Sequence, residues 1–157
     1  MTKYLMILAA LFALVACGGD DNNDSWTTYA GLEWSPLSEK AMIWQEAVDY
    51  CEAMDARLPT IDELRKIMIN CPGSAYGGPC QVSDPDCLAF SCQVNEDCRC
   101  DGSAESYSAL GDAKDYISIW SSSSHAYNTN LVWLVGFYYG NVFNSNKYSY
   151  YPARCVR

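Results

Sequence analysis

Residues 131–140, LVWLVGFYYG, decide the fold because nearly every position in them is apolar. Successive side chains of a β-strand point to opposite faces of the sheet, so a strand that is apolar at consecutive positions has two apolar faces. Such a strand needs packed structure on both sides. The segment 131–138 therefore predicts a central strand with a layer on each face, in which Tyr138 and Tyr139 point in opposite directions.

Four further segments are typical of strands, since they contain aromatic and β-branched residues. They are a first strand around Leu32–Ser35, ISIWSSSS at 117–124, NVFN at 141–144 and RCVR at 154–157. Gly140 and Asn141 suit a tight hairpin turn after the central strand.

The first of two predicted helices runs from Glu39 to about Asp55, with Ser38 as its cap. Its apolar residues recur at helical spacing and predict one buried stripe. The stripe consists of Trp44, Ala47, Val48, Cys51 and Met54.

The second helix begins at a capping box in which Thr60 and Glu63 satisfy each other's backbone N–H groups. It is predicted to run to about Ile69, and Pro72 stops it. Its buried face consists of Ile61, Leu64 and Met68.

The first seventeen residues, MTKYLMILAALFALVAC, have the features of a secretion signal. Their apolar run is shorter than the roughly 20 residues that a membrane-spanning helix needs. The ending Leu14-Val15-Ala16-Cys17 resembles the lipobox of bacterial lipoproteins, in which the cysteine becomes the acylated first residue. We therefore expect Cys17 to carry lipid. The alternative is an ordinary secreted protein with Cys17 near its cleavage site.

Residues 18–25, GGDDNNDS, contain no apolar side chain and predict a flexible tether in front of a single domain at 26–157. Gly18 stands where an aspartate commonly retains lipoproteins in the inner membrane. We therefore expect a lipid-anchored protein of the bacterial cell envelope, in the outer membrane if the cell has one. The net charge of −9 disfavours nucleic acid as a partner.

Six of the nine cysteines lie in residues 71–100, which indicates a metal site, a redox device or a disulfide-bonded loop. Export favours disulfides, and an even number of cysteines remains beside Cys17. A structural zinc site needs four ligands, usually as Cys-x2–4-Cys pairs or with histidines, but the chain has one histidine and other spacings. We predict disulfides with their pairing left open among Cys71, Cys80, Cys87, Cys92, Cys98 and Cys100.

Six motifs occur in the order seen in the Lcl C-terminal domain family, and they resemble it over nearly all of 31–157 apart from the cysteine-rich stretch. They are GLEW at 31–34, WQEAVDYCEAM at 44–54, RLPTIDELRKI at 57–67, IWSSSS at 119–124, VWLVGFYYGNV at 132–142 and ARCVR at 153–157. The resemblance implies an α+β, C-type-lectin-like fold in which two helices flank a small, mostly antiparallel sheet. It also implies a disulfide between Cys51 and Cys155, with 71–100 as a disulfide-rich loop insert.

Nothing in the sequence predicts catalysis, a metal or a cofactor. His125 has no recognisable partner acid or nucleophile elbow, and we expect it on a surface loop after a strand that ends at Ser121–Ser124. The loop and Trp-Asn-Asp motifs with which many C-type lectins hold calcium are absent. Acids of the insert are calcium-ligand candidates or solvated charges, and their spacing lacks an EF-hand pattern. They are Asp84, Asp86, Glu96, Asp97 and Asp101.

Exposed tyrosines are the remaining candidates for a binding surface, because the ring is apolar and its tip is polar. The candidates are Tyr127, Tyr138, Tyr148 and Tyr150. We expect a non-catalytic envelope lipoprotein that binds a glycan or protein ligand. The alternative is a structural component bound permanently to another membrane protein. Because the insert has few apolar residues, we expect the core to form without it and the insert to serve recognition.

Replacing the lipobox cysteine tests the anchor. We expect Cys17→Ser to abolish acylation and membrane retention, because this cysteine is the only anchor that the sequence predicts. Detergent partitioning of the full-length protein and its variant measures this. Full membrane partitioning of the variant would refute the lipobox assignment.

Overall fold

A computed structural model describes residues 26–94, 96–100, 107–111 and 117–157. The leader at 1–17, with Cys17, and the tether at 18–25 lie outside these residues. The elements are β1 (Thr27–Tyr29), β2 (Leu32–Trp34), α1 (Trp44–Glu52), α2 (Ile61–Lys66), a 3₁₀ helix (Phe90–Cys92), β3 (Ser118–His125), β4 (Asn128–Gly136) and β5 (Asn141–Asn146). The α+β class with two helices is confirmed, and the strands form two small antiparallel sheets, β1-β2 and β3-β4-β5.

The prediction of a central strand covered on both faces is confirmed by β4, which lies between β3 and β5. Trp133 and Val135 belong to one buried cluster, which also contains Leu64 of α2. Val132 and Leu134 belong to a second cluster on the other face, with residues of α1. The alternation along one strand thus divides the interior into two cores.

Helix α1 begins at Trp44, later than the predicted Glu39. The preceding segment is held extended by the C-terminal segment, since Ser38 N–H donates to the Ala153 carbonyl at 2.8 Å. The Ser38 hydroxyl accepts the N–H of Ala153 at 2.9 Å instead of capping a helix. Long-range pairing therefore overrides the local cap signal.

Helix α2 begins at the predicted capping box, which is confirmed by Glu63 N–H on the Thr60 hydroxyl (3.2 Å) and Thr60 N–H on the Glu63 carboxylate (2.8 Å). It ends at Lys66, earlier than the predicted Ile69. The residues that follow pair with segment 107–109 instead, through Ile69 N–H on the Tyr107 carbonyl at 2.8 Å.

The turn between β4 and β5 occupies residues 137–140, so Asn141 is the first residue of β5. Tyr138 and Tyr139 therefore lie in a turn, and the prediction that they point to opposite faces of a strand is wrong: their rings meet edge to face at 4.7 Å. Gly140 has φ +55°, and a Cβ there would lie 2.6 Å from the Cys71 sulfur. The close approach of the insert thus requires glycine at this position.

The C-terminal segment forms isolated bridges and no strand, so the strand predicted at 154–157 is wrong. Val156 bridges to both Trp34 and Arg57, and Tyr151 bridges to Met42. These contacts place the end of the chain between β2 and the segment before α2.

Four disulfides join the eight cysteines of the described chain. Cys51 of α1 is bonded to Cys155, the pair that the resemblance implies. The insert contains three internal bonds, Cys71–Cys100, Cys80–Cys98 and Cys87–Cys92. Because the first bond joins residues 104 positions apart, it contributes about 4–5 kcal/mol in the chain-entropy account.

The insert is part of the core, so the expectation that the core forms without it is wrong. Val82 and Cys80 are buried in the same cluster as Trp133 and Leu64. The Trp133 indole N–H also donates to the Leu88 carbonyl at 3.1 Å. The disulfide-linked loops supply a wall of this core despite their polar composition.

Arg65 of α2 ties the helix to the insert from inside. Arg65 is 2% exposed. Its guanidinium donates hydrogen bonds to four insert carbonyls, those of Ser74 (2.8 Å), Ala75 (3.0 Å), Cys80 (2.8 Å) and Val82. Burial lowers the pKa of Arg65, and the nearby Asp62 carboxylate opposes that shift. One side chain thus satisfies four acceptors of a segment that has little regular structure.

We expect Arg65→Met to destabilise the protein by at least about 3 kcal/mol, because it leaves several buried carbonyls without a donor. Lys66→Met is the matched control, since Lys66 is exposed and only lies over the Tyr76 ring at 4.9 Å. The control is expected to change stability by less than about 1 kcal/mol. Urea denaturation under oxidising conditions measures both. Equal, small effects would contradict the role assigned to Arg65.

Candidate functional site

Three of the four predicted binding tyrosines are largely exposed. Tyr127 is 87%, Tyr148 75% and Tyr150 68% exposed. Tyr138 is half-buried in the β4–β5 turn. The structure therefore offers three phenol rings to a ligand, at positions in the β3–β4 turn and after β5.

One of these tyrosines borders a groove of about 280 Å³, which we call the Trp44 groove. It is lined by Ile43, Trp44, Gln45, Thr129, Asn130, Lys147 and Tyr148. Three segments meet there: the start of α1, the start of β4 and the loop after β5. These segments are far apart in sequence, so the groove exists only in the folded protein.

Backbone hydrogen bonds fix the three segments to one another. Lys147 N–H donates to the Asn130 carbonyl at 2.9 Å, and Trp44 N–H donates to the Lys147 carbonyl at 3.0 Å. Two asparagine side chains shape the loops, since Asn146 Oδ1 accepts the N–H of Tyr148 at 2.9 Å and Asn128 Oδ1 accepts that of Asn130 at 3.2 Å. The groove walls are thus held by main-chain and asparagine contacts.

Trp44 lines the groove and is half-buried. Its indole N–H donates to the Ser121 carbonyl at 2.9 Å, and the Lys147 ammonium lies 3.9 Å from its ring centroid. Burial lowers the pKa of Lys147. Lys147 is the one ionisable side chain with a full charge at neutral pH among the groove residues named above, and amide and hydroxyl groups surround it. The groove therefore combines an aromatic rim, one cation and several neutral hydrogen-bonding groups.

Only part of this groove is predictable from the sequence. Composition predicts Tyr148 as a binding residue, whereas helical spacing predicts Trp44 in a buried stripe. The sequence analysis predicts no role for Lys147 or Asn130. The available signal was the asparagine-rich composition of NTN at 128–130 and NSNK at 144–147, which favours tight turns with exposed side chains.

A second cleft, of about 660 Å³, lies between the insert and β5. It is lined by Gln93, Glu96, Cys98, Arg99, Cys100, Asn141 and Val142. Its walls are joined by Val142 N–H on the Cys98 carbonyl at 3.0 Å, and the Arg99 guanidinium lies over Tyr139 at 5.1 Å. Cys100 directly precedes residues 101–106, which lie outside the described part of the chain. The Trp44 groove has two aromatic side chains in its lining, whereas the cleft residues named above include none.

His125 is buried at 2% exposure, so its predicted place on a surface loop is wrong. It is the last residue of β3, and its ring stacks on Trp133 with the centroids 5.8 Å apart. Burial lowers the pKa of His125.

The serine tract forms an irregular part of β3, where the pairing with β4 shifts register. The Ser121 hydroxyl donates to the Trp133 carbonyl at 2.6 Å. The Ser123 hydroxyl accepts the Ile61 N–H at 2.9 Å and donates to Asp84. These serines therefore satisfy the backbone of the bulge and the start of α2.

The insert acids do not assemble into a metal site in the part of the chain that the structure describes, where no group of three or more potential ligands is found. Asp84 is engaged by Ser123, and Asp101 lies outside the described residues. None of the helices in those ranges combines the length and the hydropathy of a transmembrane span.

The sequence model of the Lcl C-terminal domain family matches residues 25–157. The chain belongs to this family. A comparison with curated proteins gives no match. The family match spans 71–100, so the disulfide-rich insert lies within the Lcl domain, in agreement with its packing against α2 and β4.

Two substitutions distinguish an exposed residue of the groove from one that stabilises the fold. We expect Tyr148→Ala to change the free energy of unfolding by less than about 0.5 kcal/mol, because the side chain is mostly exposed. Trp44→Ala is expected to cost about 2–4 kcal/mol, since it removes buried ring contacts and the bond to Ser121. Chemical denaturation measures both variants. A cost for Tyr148→Ala as large as that for Trp44→Ala would show that the tyrosine is structural.

Proposed function

We propose that the protein is a non-catalytic lipoprotein of the bacterial envelope whose Lcl domain has a C-type-lectin-like fold and binds a glycan in the Trp44 groove. The lipobox at Leu14–Cys17 and the polar tether behind it support display at a membrane surface. The groove then lies at the end of the flexible tether at 18–25, where it can reach ligands outside the membrane.

The C-type-lectin-like assignment is supported by the arrangement of chain ends and helices. The start and end of the domain are paired, since Glu33 and Arg157 exchange backbone hydrogen bonds of 3.0 and 3.1 Å. The Cys51–Cys155 bond ties α1 to the C-terminal segment. Two helices and an antiparallel sheet with a long loop-rich insert complete the features that the sequence resemblance implies.

The observation that carries the proposal is the chemistry of the groove. Sugars present C–H faces that pack on aromatic rings and hydroxyls that both donate and accept hydrogen bonds. Tyr148 and the rim of Trp44 supply ring surface. Thr129, Asn130 and Gln45 supply neutral donors and acceptors, and the Lys147 ammonium supplies a strong donor. A small, open groove with mixed polar and aromatic walls suits a short oligosaccharide better than a large apolar ligand.

A permanent partner protein is the second candidate, and exposed tyrosines outside the groove favour it. Tyr127 and Tyr150 are largely exposed yet are absent from the groove lining. Tyrosine is enriched where proteins contact one another. This candidate predicts co-purification with one fixed membrane partner instead of binding to free glycans.

A glycan array probed with full-length protein in detergent micelles tests the proposal. We expect reproducible binding that Tyr148→Ala and Lys147→Gln each weaken by about tenfold or more, as for central residues of a small interface. Tyr50→Ala, at an exposed tyrosine of α1 that is absent from the groove lining, is the matched control and is expected to bind within about twofold of the parent. Absence of glycan binding, or equal binding by all variants, would overturn the groove assignment.

A further inference from the structure

The loop between Cys87 and Cys92 packs against the β3–β4 hairpin at a joint centred on His125. The Leu88 carbonyl accepts the Ala126 N–H of the hairpin turn at 2.9 Å and the Trp133 indole N–H at 3.1 Å. Phe90 of the same loop covers the imidazole, with the ring centroids 4.1 Å apart. The imidazole is thus enclosed between Phe90 of the insert and Trp133 of the sheet.

The two ring nitrogens of His125 are in different situations. Nδ1 accepts the N–H groups of Tyr127 and Asn128, each at 3.2 Å. Nε2 is buried and has no hydrogen-bond partner among the described residues. A nitrogen that accepts two N–H groups carries no proton, so the neutral ring has its proton on Nε2. Protonation would place a hydrogen on Nδ1 that faces two donors.

The elements around the ring offer little to compensate a positive charge. Residues 88–91 of the loop, the turn at 126–127 and β4 contain no acidic or basic side chain. The Tyr127 phenol ring lies edge-on to the imidazole, with the ring centroids 6.4 Å apart. Asp86 lies just before the loop in sequence, and Asp84 already accepts the Ser123 hydroxyl. The surroundings of His125 therefore favour the neutral form of its imidazole over the protonated form.

We propose that His125 is a pH-sensitive latch that fastens the Cys87–Cys92 loop to the β3–β4 hairpin and that its protonation loosens this joint. The hairpin turn held by Nδ1 leads directly into Thr129 and Asn130, which line the Trp44 groove. Acidification thus also weakens ligand binding, a consequence that rests on the proposed function. The latch itself stands on the contacts of the ring alone.

The sign of the effect follows from the burial, which lowers the pKa of the folded-state imidazole below its ordinary 6.5. Well above pH 6.5 the imidazole is almost entirely neutral in both the folded and the unfolded state, and the full stability is present. Below it the unfolded chain takes up the proton first. The ratio of folded to unfolded protein then falls by up to about tenfold per pH unit until the folded-state pKa is reached.

The experiment uses full-length protein and His125→Asn, whose amide oxygen can accept the same two N–H groups but does not titrate. Unfolding midpoints are measured in urea between pH 7.5 and 5.5. We expect the parent to lose stability on acidification more steeply than the variant. Because the chain has one histidine, NMR of histidine-labelled parent protein gives its pKa directly, even if the variant fails to fold. We expect a value below 6.5, with the Tyr127 and Asn128 amide signals shifting in the same titration.

Parallel stability profiles for parent and variant, or a histidine pKa at or above 6.5, would overturn the latch. Binding to the array glycans at pH 7.5 and 5.5 tests the link to the groove, where the parent is expected to weaken with acid and the variant is not. Absence of binding at both pH values contradicts the proposed function alone, because the NMR and unfolding measurements still decide the latch.

Discussion

The buried guanidinium of Arg65 is the interaction on which the architecture depends. The described part of the insert contains only short turns and one 3₁₀ helix, and the carbonyls that it turns toward α2 accept hydrogen bonds from a side chain of that helix. A guanidinium carries five N–H donors in a rigid plane, and here they reach four carbonyls between Ser74 and Val82. With these acceptors satisfied, Val82 and the cystines can enter the core beside Trp133. The disulfides restrict the conformations of the insert loops, and the hydrogen bonds from Arg65 hold the carbonyls of residues 74–82 toward α2.

Much of the scaffold is predictable from periodicity, but the ends of its elements are not. The run of consecutive apolar residues at 131–138 predicts β4 and a packed layer on each of its faces, and the capping box at Thr60 predicts where α2 begins. Ser38 and Glu39 predict too early a start for α1. Their local helix signal competes with pairing between Ser38 and Ala153, which is more than a hundred residues away. The sequence also does not predict that His125 is buried. Phe90, which packs on the imidazole, comes from a segment whose composition indicates a solvent-exposed loop.

The groove was only partly predictable, for a related reason. Composition identifies Tyr148 as a ring suited to binding, but it cannot place the start of α1 and the loop after β5 beside each other. That proximity comes from the Trp44–Lys147 and Lys147–Asn130 backbone bonds, which join three distant segments. A site built from loop ends in this way can vary its side chains while the sheet beneath is kept. The β3–β4 hairpin, which contributes Asn130 to the groove, also packs against the insert at His125.

The pairing of residues 156–157 with β2 has a consequence for the order in which the chain folds. Val156 bridges Trp34, and Cys155 bonds to a helix near the other end of the domain. Neither core can close while residues 151–157 are still inside the ribosome, and loop closure over such a distance is slow. A chain whose cores depend on contacts this distant stays unfolded until both partners have been synthesised. For the export that we propose, this delay keeps the domain in the unfolded state in which a polypeptide can pass through a narrow secretion channel.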